Sequence, residues 1–346
     1  MSVAGRGIGK VMRFSVGLLN EYAPNELSEI AKTVDDNRKY KNLFIADERL
    51  YKNTYAQLAI VADATRRVRI GTGVTNPYTR HPTLTASAIS TISEISGGRA
   101  ILGLGAGSPM VLNPLGISQT QPIETVCAAT DAIRELIEGK SVTMKSDVFS
   151  MENARLNFVS GDRIPIYIAG RGPRILSLAG RMGDGVIAGA GLASVAGMEY
   201  AREHIQKGTG DSNRDFDDLD IICWAFLSIA DERDTALDSV VDIIARIVKA
   251  VPLKTLEAIG IPKKDAERVK RINDINLLKL KEIRKILTDE IVEQFAIVGT
   301  SEECLTHMEK LMESGVKHIA GLPFENRGYG TQEIIEKFSE EVIQNL

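Results

Sequence analysis

Apolar and polar positions along this chain follow two periods that take turns. Short apolar runs, of the kind a parallel sheet buries on both faces, alternate with longer segments whose apolar positions recur near every 3.6 residues. Strand signals fall at 13–19, 43–46, around Val68 and Ile70, and at 100–102, 164–169, 185–188, 220–229 and 316–322. Helical segments fall between and after them, at 25–40, 55–65, 84–95, 123–138, 173–182, 195–207 and 332–346. The stretch 142–149 breaks the rhythm and reads as a small hairpin turning at 145–147. From 231 to 293 the pattern is helical, charged and strand-free, divided by Pro252 and Pro262, and reads as an insertion after the seventh strand. The rhythm resumes at GTSEECLTHMEKLMESG, where Thr300 or Ser301 can cap a helix whose first turn carries glutamates. Eight strands, each with its helix, predict an α/β protein of the (β/α)8 TIM-barrel class, one domain over 1–346, in preference to a doubly wound sheet.

Composition narrows the function classes. With 44% apolar residues in 346, a large core is available. The net charge is −4, charges are interspersed and aromatics make up 5%, so a basic face with stacking aromatics, and with it nucleic-acid binding, is excluded. No run reaches the roughly 18 apolar residues of a membrane span. Cys127, Cys223 and Cys304 lie far apart, which suits a reducing cytoplasm and no disulfide framework. The opening MSVAGRGIGKVMRF has no apolar stretch of signal-peptide length, and its first dozen residues read as a loose tail. His81, His204, His307 and His318 are scattered, with neither an HExxH nor a Cys-x-x-Cys spacing, so no metal site is expected. There is no G-x-S-x-G elbow.

Chemistry is expected at the loops that follow the strands, where α/β barrels bind and react. GLGAGSP, with Gly103, Gly105, Gly107 and Ser108, is not G-x-G-x-x-G, and Pro109 stands where a phosphate-binding helix would begin. Its glycines either let the rim bend or let the backbone approach a bound ring. Ala169–Arg174 reads AGRGPR and opens a helix; it is either a tight turn or an anion site built from free N–H groups, with Arg171 or Arg174 adding charge. Asp47, Glu48 and Arg49 end the second strand, either as a solvated rim or as carboxylates able to move a proton. His81 reads as a loop-stabilising residue, and Cys223 and Trp224 as core or pocket wall.

GTGVTNPYTRHP followed by TASAISTISEISGGRAILGLGAG resembles the third and fourth units of the bacterial-luciferase-like flavin and deazaflavin oxidoreductases, and within them the methylenetetrahydromethanopterin reductase branch. AGRMGDGVIAGAG fits the family's AGR-x-x-DG pattern, and the TNP turn and FAIVGT (295–300) are similar to the deazaflavin members. The resemblance implies coenzyme F420 at the C-terminal mouth of the barrel, hydride passing between its C5 and a small organic substrate, and a homodimer or higher homo-oligomer. It implies phosphate binding by Gly170, Arg171, Gly172 and Pro173, bordered by Gly185 and Gly189, with Gly107 and Ser108 near the cofactor. It implies a bulge with a cis Gly73–Val74 peptide against the ring, and N–H groups around Gly73, Val74, Thr75 and Asn76 beside it. Asp47 matches the family's acid, whereas Glu48 replaces a frequent histidine. Gly17 stands where the reductases carry a glutamate in strand one, and Glu21 lies farther on. An FMN-dependent monooxygenase served by a separate reductase, and a cofactor-poor barrel with a binding role, remain the other readings.

Overall fold

The computed structural model describes residues 12–48, 50–272 and 279–346; Arg49, most of the N-terminal stretch expected to be a tail, and part of the insertion lie outside the described residues. Strands β1 (Arg13–Leu18), β2 (Tyr40–Ile45), β3 (Arg69–Thr72) and β4 (Ala100–Gly105) are followed by a hairpin, β5 (Val142–Lys145) and β6 (Ser150–Ala154). Then come β7 (Ile166–Gly170), β8 (Gly185–Ala188), β9 (Asp220–Ile229), β10 (Ala296–Gly299) and β11 (His318–Pro323). The order β11-β1-β2-β3-β4-β7-β8, with β9 pairing to both β8 and β11, closes a ring of eight parallel strands. All six residues of β4 and of β11 are buried, as befits strands covered on both faces.

The surrounding helices form because each carries one apolar stripe. In Pro24–Asp36 the buried positions are Leu27, Ile30, Ala31 and Val34, a single face at helical spacing. Proline opens several of them, including Pro82–Ser96, Pro122–Ile137 and Pro173–Met182, where its missing N–H costs no hydrogen bond. Thr300 caps Ser301–Glu313, with Glu303 completing a capping box. No helix among the described residues is long and apolar enough to cross a membrane.

The structure departs from the sequence reading in one strand. The insertion is helical, in segments from Arg233–Ala250 to Asp289–Glu293, but it returns through β10, four buried residues that pair with Phe226–Ile229. A four-residue apolar run has no period by which to tell strand from buried helix.

At the N-terminal end of the barrel, Asp220 joins four strands. His318 Nδ1 donates to its Oδ1 at 2.8 Å, Tyr167 Oη donates to Oδ2 at 2.9 Å, and Arg13 pairs with it at 2.7 Å. Ser15 Oγ lies 2.7 Å from His318 Nε2, giving the connectivity of a Ser-His-Asp triad. Ser15 and His318 are 2% and 1% exposed, so no substrate reaches them and the arrangement is a structural lock. Burial alone would raise the Asp220 carboxyl, but the hydrogen bond and charge of His318, the charge of Arg13 and the Tyr167 hydroxyl hold it below its ordinary value. A carboxylate depressed in the folded state stabilises above its unfolded value near pH 4, and that stability fades as pH falls through the folded value. Asp220→Asn is therefore expected to cost about 3 kcal/mol at pH 7, the cost of leaving a buried pair half-empty. The gap in melting temperature between the two proteins should narrow below about pH 4; thermal melts across pH 7 to 3 check both points, and a gap constant with pH would show that the carboxylate charge is not what stabilises.

Candidate functional site

The C-terminal mouth is organised by a bulge after β3. The Gly73–Val74 peptide is cis, where the resemblance placed it. Gly73 N–H donates to the Ile45 carbonyl at 2.8 Å, on the β2 side. On the β4 side the Thr72 hydroxyl enters the ladder in place of backbone, donating to the Gly103 carbonyl at 2.7 Å and accepting from Gly103 N–H at 2.9 Å. Pairing resumes at Thr75, which donates to Gly103 and accepts from Gly105. Two of the four N–H groups expected beside a ring, those of Gly73 and Thr75, are thus engaged by other strands. Those of Val74 and Asn76 have no backbone acceptor among the described residues.

The glycines of GLGAG serve this bulge. A Cβ on Gly103 would stand 2.1 Å from the Thr72 carbonyl oxygen and 2.9 Å from the Val74 side chain, and one on Gly105 would stand 3.0 Å from Val74. Gly107 has φ +71°, and the Asn76 side chain packs 3.3 Å from where its Cβ would be. Asn76 Oδ1 accepts from the N–H groups of Tyr78 and Thr79 and so folds its own loop. Ser108 uses its hydroxyl to cap the short helix Pro109–Leu112.

Asp47 is held against the bulge. Its carboxylate accepts from the Thr75 hydroxyl at 2.8 Å and from that of Thr54 at 3.2 Å. Glu48 lies near enough to Arg171 for its charge to act across the mouth. Glu21 is exposed, its carbonyl bound by Lys52.

On the opposite side, helix Pro173–Met182 starts at Gly172 with no side-chain cap, and the space beside Gly172 is open for at least 4 Å. Its first-turn N–H groups are therefore free of side-chain acceptors. Gly189 N–H donates to the Gly170 carbonyl at 3.0 Å, which sets the ends of β7 and β8 side by side. Gly170 is glycine because a Cβ would meet Ile175 at 2.2 Å. Arg171 and Arg174, interchangeable in the sequence, part here. Arg174 faces outward to Glu124 at 2.8 Å. The Arg171 Nη1 is buried with no hydrogen-bond partner, and burial pushes its guanidinium below its ordinary value against the pull of Glu48. Arg171 as a whole is half-buried, and a guanidinium nitrogen with an unmade hydrogen bond beside an uncapped helix start can bind an anion.

Trp224 is the floor of the mouth. The end of its indole lies 2.5–2.6 Å from a Cβ built on Gly17 and 2.8 Å from one built on Gly73, and its ring meets Phe44 edge-on at 5.9 Å. Sequence reasoning left it between core and wall; only the closed ring shows a strand β9 side chain reaching across to β1 and the bulge. Arg80 and Asn20 went unnoticed. Arg80 lies over the Tyr55 ring at 4.7 Å with its Nε buried and unpartnered, and Asn20, 2% exposed, binds the Lys52 carbonyl at 2.7 Å. Their position in loops that lead from a strand to the next helix was the available signal. His81 is a loop residue, bonded to Thr83 and to the Ser150 carbonyl.

Comparison with known proteins gives this geometry a context. Residues 11–318 match the family model described as luciferase-like monooxygenase. The chain is 34% identical over 338 residues to a 5,10-methylenetetrahydromethanopterin reductase of Archaeoglobus fulgidus, covering 97% of this chain and 100% of that one. It is 33% identical to the enzyme of that name from Methanolobus tindarius, covering 93% and 98%. The structure of coenzyme F420 dependent tetrahydromethanopterin reductase from Methanopyrus kandleri superimposes with a TM-score of 0.84 at 26% identity, covering 97% of this chain and 99% of that one.

The close approach of Trp224 to Gly17 makes a direct prediction. Gly17→Ala inserts a methyl group into space the indole fills, at an expected cost of about 1–3 kcal/mol. Trp224 is the single tryptophan of the chain, so its emission should shift in the folded variant. Unaltered stability and emission together would show that the floor yields freely.

Proposed function

The chain belongs to the luciferase-like monooxygenase family, and on that premise we propose that it is a coenzyme F420-dependent oxidoreductase, passing hydride between C5 of the deazaflavin and a small organic substrate. The observation that carries this reading is the buried, unpartnered Nη1 of Arg171 beside the uncapped start of helix Pro173–Met182, at the mouth of a barrel that superimposes along its length on a reductase named as coenzyme F420 dependent. These residues fit a phosphate ester. Arg171 and the free N–H groups at the helix start by Gly172 would hold it, with Pro173 opening the helix and Gly170 and Gly189, whose N–H donates to the Gly170 carbonyl, forming the border. Gly73, Val74, Thr75 and Asn76 would support the ring, and Gly107 and Ser108 would shape the loop beside it. When bound, the deazaflavin supplies a carbon that accepts or releases hydride.

The side chains supply position and protons. Asp47, tied to Thr54 and Thr75, acts by fixing the bulge, and so is a positioning residue. Glu48, whose charge acts on Arg171, is the carboxylate to which this reading gives the proton transfer. The reading takes 1–346 as one functional unit with its insertion at about 231–293, assembled as a homodimer or higher oligomer in the cytoplasm.

Titration of purified protein with each cofactor, followed through Trp224 emission, tests the assignment. Tighter binding of coenzyme F420 than of FMN is expected; equal or stronger FMN binding with oxygen-dependent turnover would favour the monooxygenase reading. Gly172→Asp sets a carboxylate at the helix start and should weaken cofactor binding at least about tenfold. Unchanged affinity in the folded variant would put the phosphate elsewhere.

Two further outcomes concern the reaction. Glu48→Gln should leave cofactor affinity nearly intact and lower turnover by about 10²–10⁴-fold; full activity would leave Glu48 a rim residue. Because Trp224 fills the space above Gly17, no side chain of β1 offers a proton there. Reduction of methylenetetrahydromethanopterin is therefore expected to be weak or undetectable. Robust turnover in a coupled absorbance assay would show that a strand-one acid is dispensable.

A further inference from the structure

A cavity of about 80 Å³ lies at the N-terminal end of the barrel, opposite the mouth. Its lining sets its place. Arg13 opens β1, Leu219 precedes β9, Val316 and Lys317 precede β11, and Met198 and Arg202 come from helix Val195–Asp211. Three cations, Arg13, Arg202 and Lys317, line it, with Asp217 as the one carboxylate among its lining residues. In a chain of net charge −4 this is a local excess of positive charge. Met198, Leu219 and Val316 are buried and give the cavity an apolar wall, which strengthens the field of the charges beside it.

Each cation keeps bonding capacity that the protein does not use. Arg13 gives Nη2 to Asp220 at 2.7 Å, and a guanidinium carries further N–H donors. Arg202 gives Nη1 to the Ser314 carbonyl at 2.7 Å and forms no ion pair among the described residues. Its Nη2 lies 3.2 Å from where a Cβ on Gly315 would stand, so the bare backbone of a residue at φ +86° makes room for the guanidinium. Lys317 reaches Asp217 at 3.5 Å with both ends exposed, a pair that exchanges readily for a stronger acceptor. An ion that bridges these cations must be compact, because the space amounts to a few water molecules at about 30 Å³ each. It must also offer acceptors in several directions, since the cations stand on three separate elements. A tetrahedral oxyanion does so, whereas a carboxylate offers two oxygens in one plane.

We propose that this cavity binds a tetrahedral oxyanion, inorganic phosphate or the phosphoryl group of a small ester, on Arg13, Arg202 and Lys317. The site is separate from the mouth and does not depend on what the mouth binds. Because Arg13 also holds Asp220, an ion here ties helix Val195–Asp211 and the approach to β11 to the start of β1, and stabilises the closed ring by mass action.

Phosphate binding to the full chain is measured by equilibrium dialysis, and melting temperature is read in phosphate and in sodium chloride at matched ionic strength. Phosphate should raise Tm by more than chloride does. Lys317→Glu reverses an exposed charge and Arg202→Met removes a guanidinium. Each should weaken one class of phosphate site at least about tenfold, as expected for the loss of a charge-assisted hydrogen bond, and cancel the excess in Tm. Gly172→Asp, at the mouth, should leave that class intact, which separates it from the proposed cofactor phosphate site. Equal Tm in the two salts, or phosphate binding that survives both charge variants, would overturn the proposal; Lys317→Glu decides the matter alone if Arg202→Met does not fold. Glycerol phosphate distinguishes the two sources. Binding of both probes assigns a phosphoryl group as the ligand, and binding of inorganic phosphate alone assigns the free ion.

Discussion

Everything in this fold hangs on strand β9. It closes the ring, pairing through Asp220–Cys223 with β8 and through Cys223–Leu227 with β11. Its first residue, Asp220, gathers Arg13, Tyr167 and His318 and so ties β1, β7 and β11 to one carboxylate. Four residues on, Trp224 crosses the lumen to β1 and the bulge after β3. Its last four residues carry β10 and thereby anchor the helical insertion. A parallel barrel has no hairpins to set its register. One strand with a polar lock at its start and a bulky wedge in its middle fixes how the remaining strands stagger.

The wedge explains why the mouth is built from glycine. Trp224 needs the absence of side chains at Gly17 and Gly73, and Val74 needs it at Gly103 and Gly105. The four glycines do not act as hinges. They are the concave halves of two contacts, one formed by an indole and one by a valine, and the cis Gly73–Val74 unit sits where the two meet. A substitution at any of them acts first on packing, and only through packing on whatever binds above.

Much of this was legible in the sequence, for reasons that also mark the limit. The boundaries of Pro173–Met182, Gly185–Ala188 and Asp220–Ile229 followed from proline, glycine and apolar runs, which are local signals. The loop residues were grouped correctly because strand ends converge by topology: Asp47 reaches Thr75, Gly170 reaches Gly189, and Glu48 acts on Arg171. What stayed hidden depends on partners distant in the chain. Nothing local says that Ser108 is spent on a cap, that Arg174 turns outward while Arg171 turns in, or that His318 joins Ser15 303 residues away. The partner of Gly17 was hidden for the same reason, since Trp224 stands opposite it only once the ring is closed.

The two ends of the barrel differ in how completely their polar groups are satisfied, and that difference points to where a ligand belongs. At the N-terminal end Asp220, His318, Ser15 and Tyr167 satisfy one another. At the C-terminal end Asn20 Oδ1, the Tyr55 hydroxyl, Gln57 Oε1, Arg80 Nε and Arg171 Nη1 are all buried without a protein partner, whereas Ser90 and Ser160 are the buried orphans placed elsewhere among the described residues. Each such group costs free energy comparable to a lost hydrogen bond unless something else completes it. Nearly the same sheet, read from its two ends, thus gives a closed network on one side and an open one on the other. The closed network cannot be reached by a substrate despite its triad connectivity; the open one combines unmet donors, a fixed carboxylate and an aromatic floor. Unmet bonding capacity, more than the identity of any one residue, separates a site from a lock in this molecule.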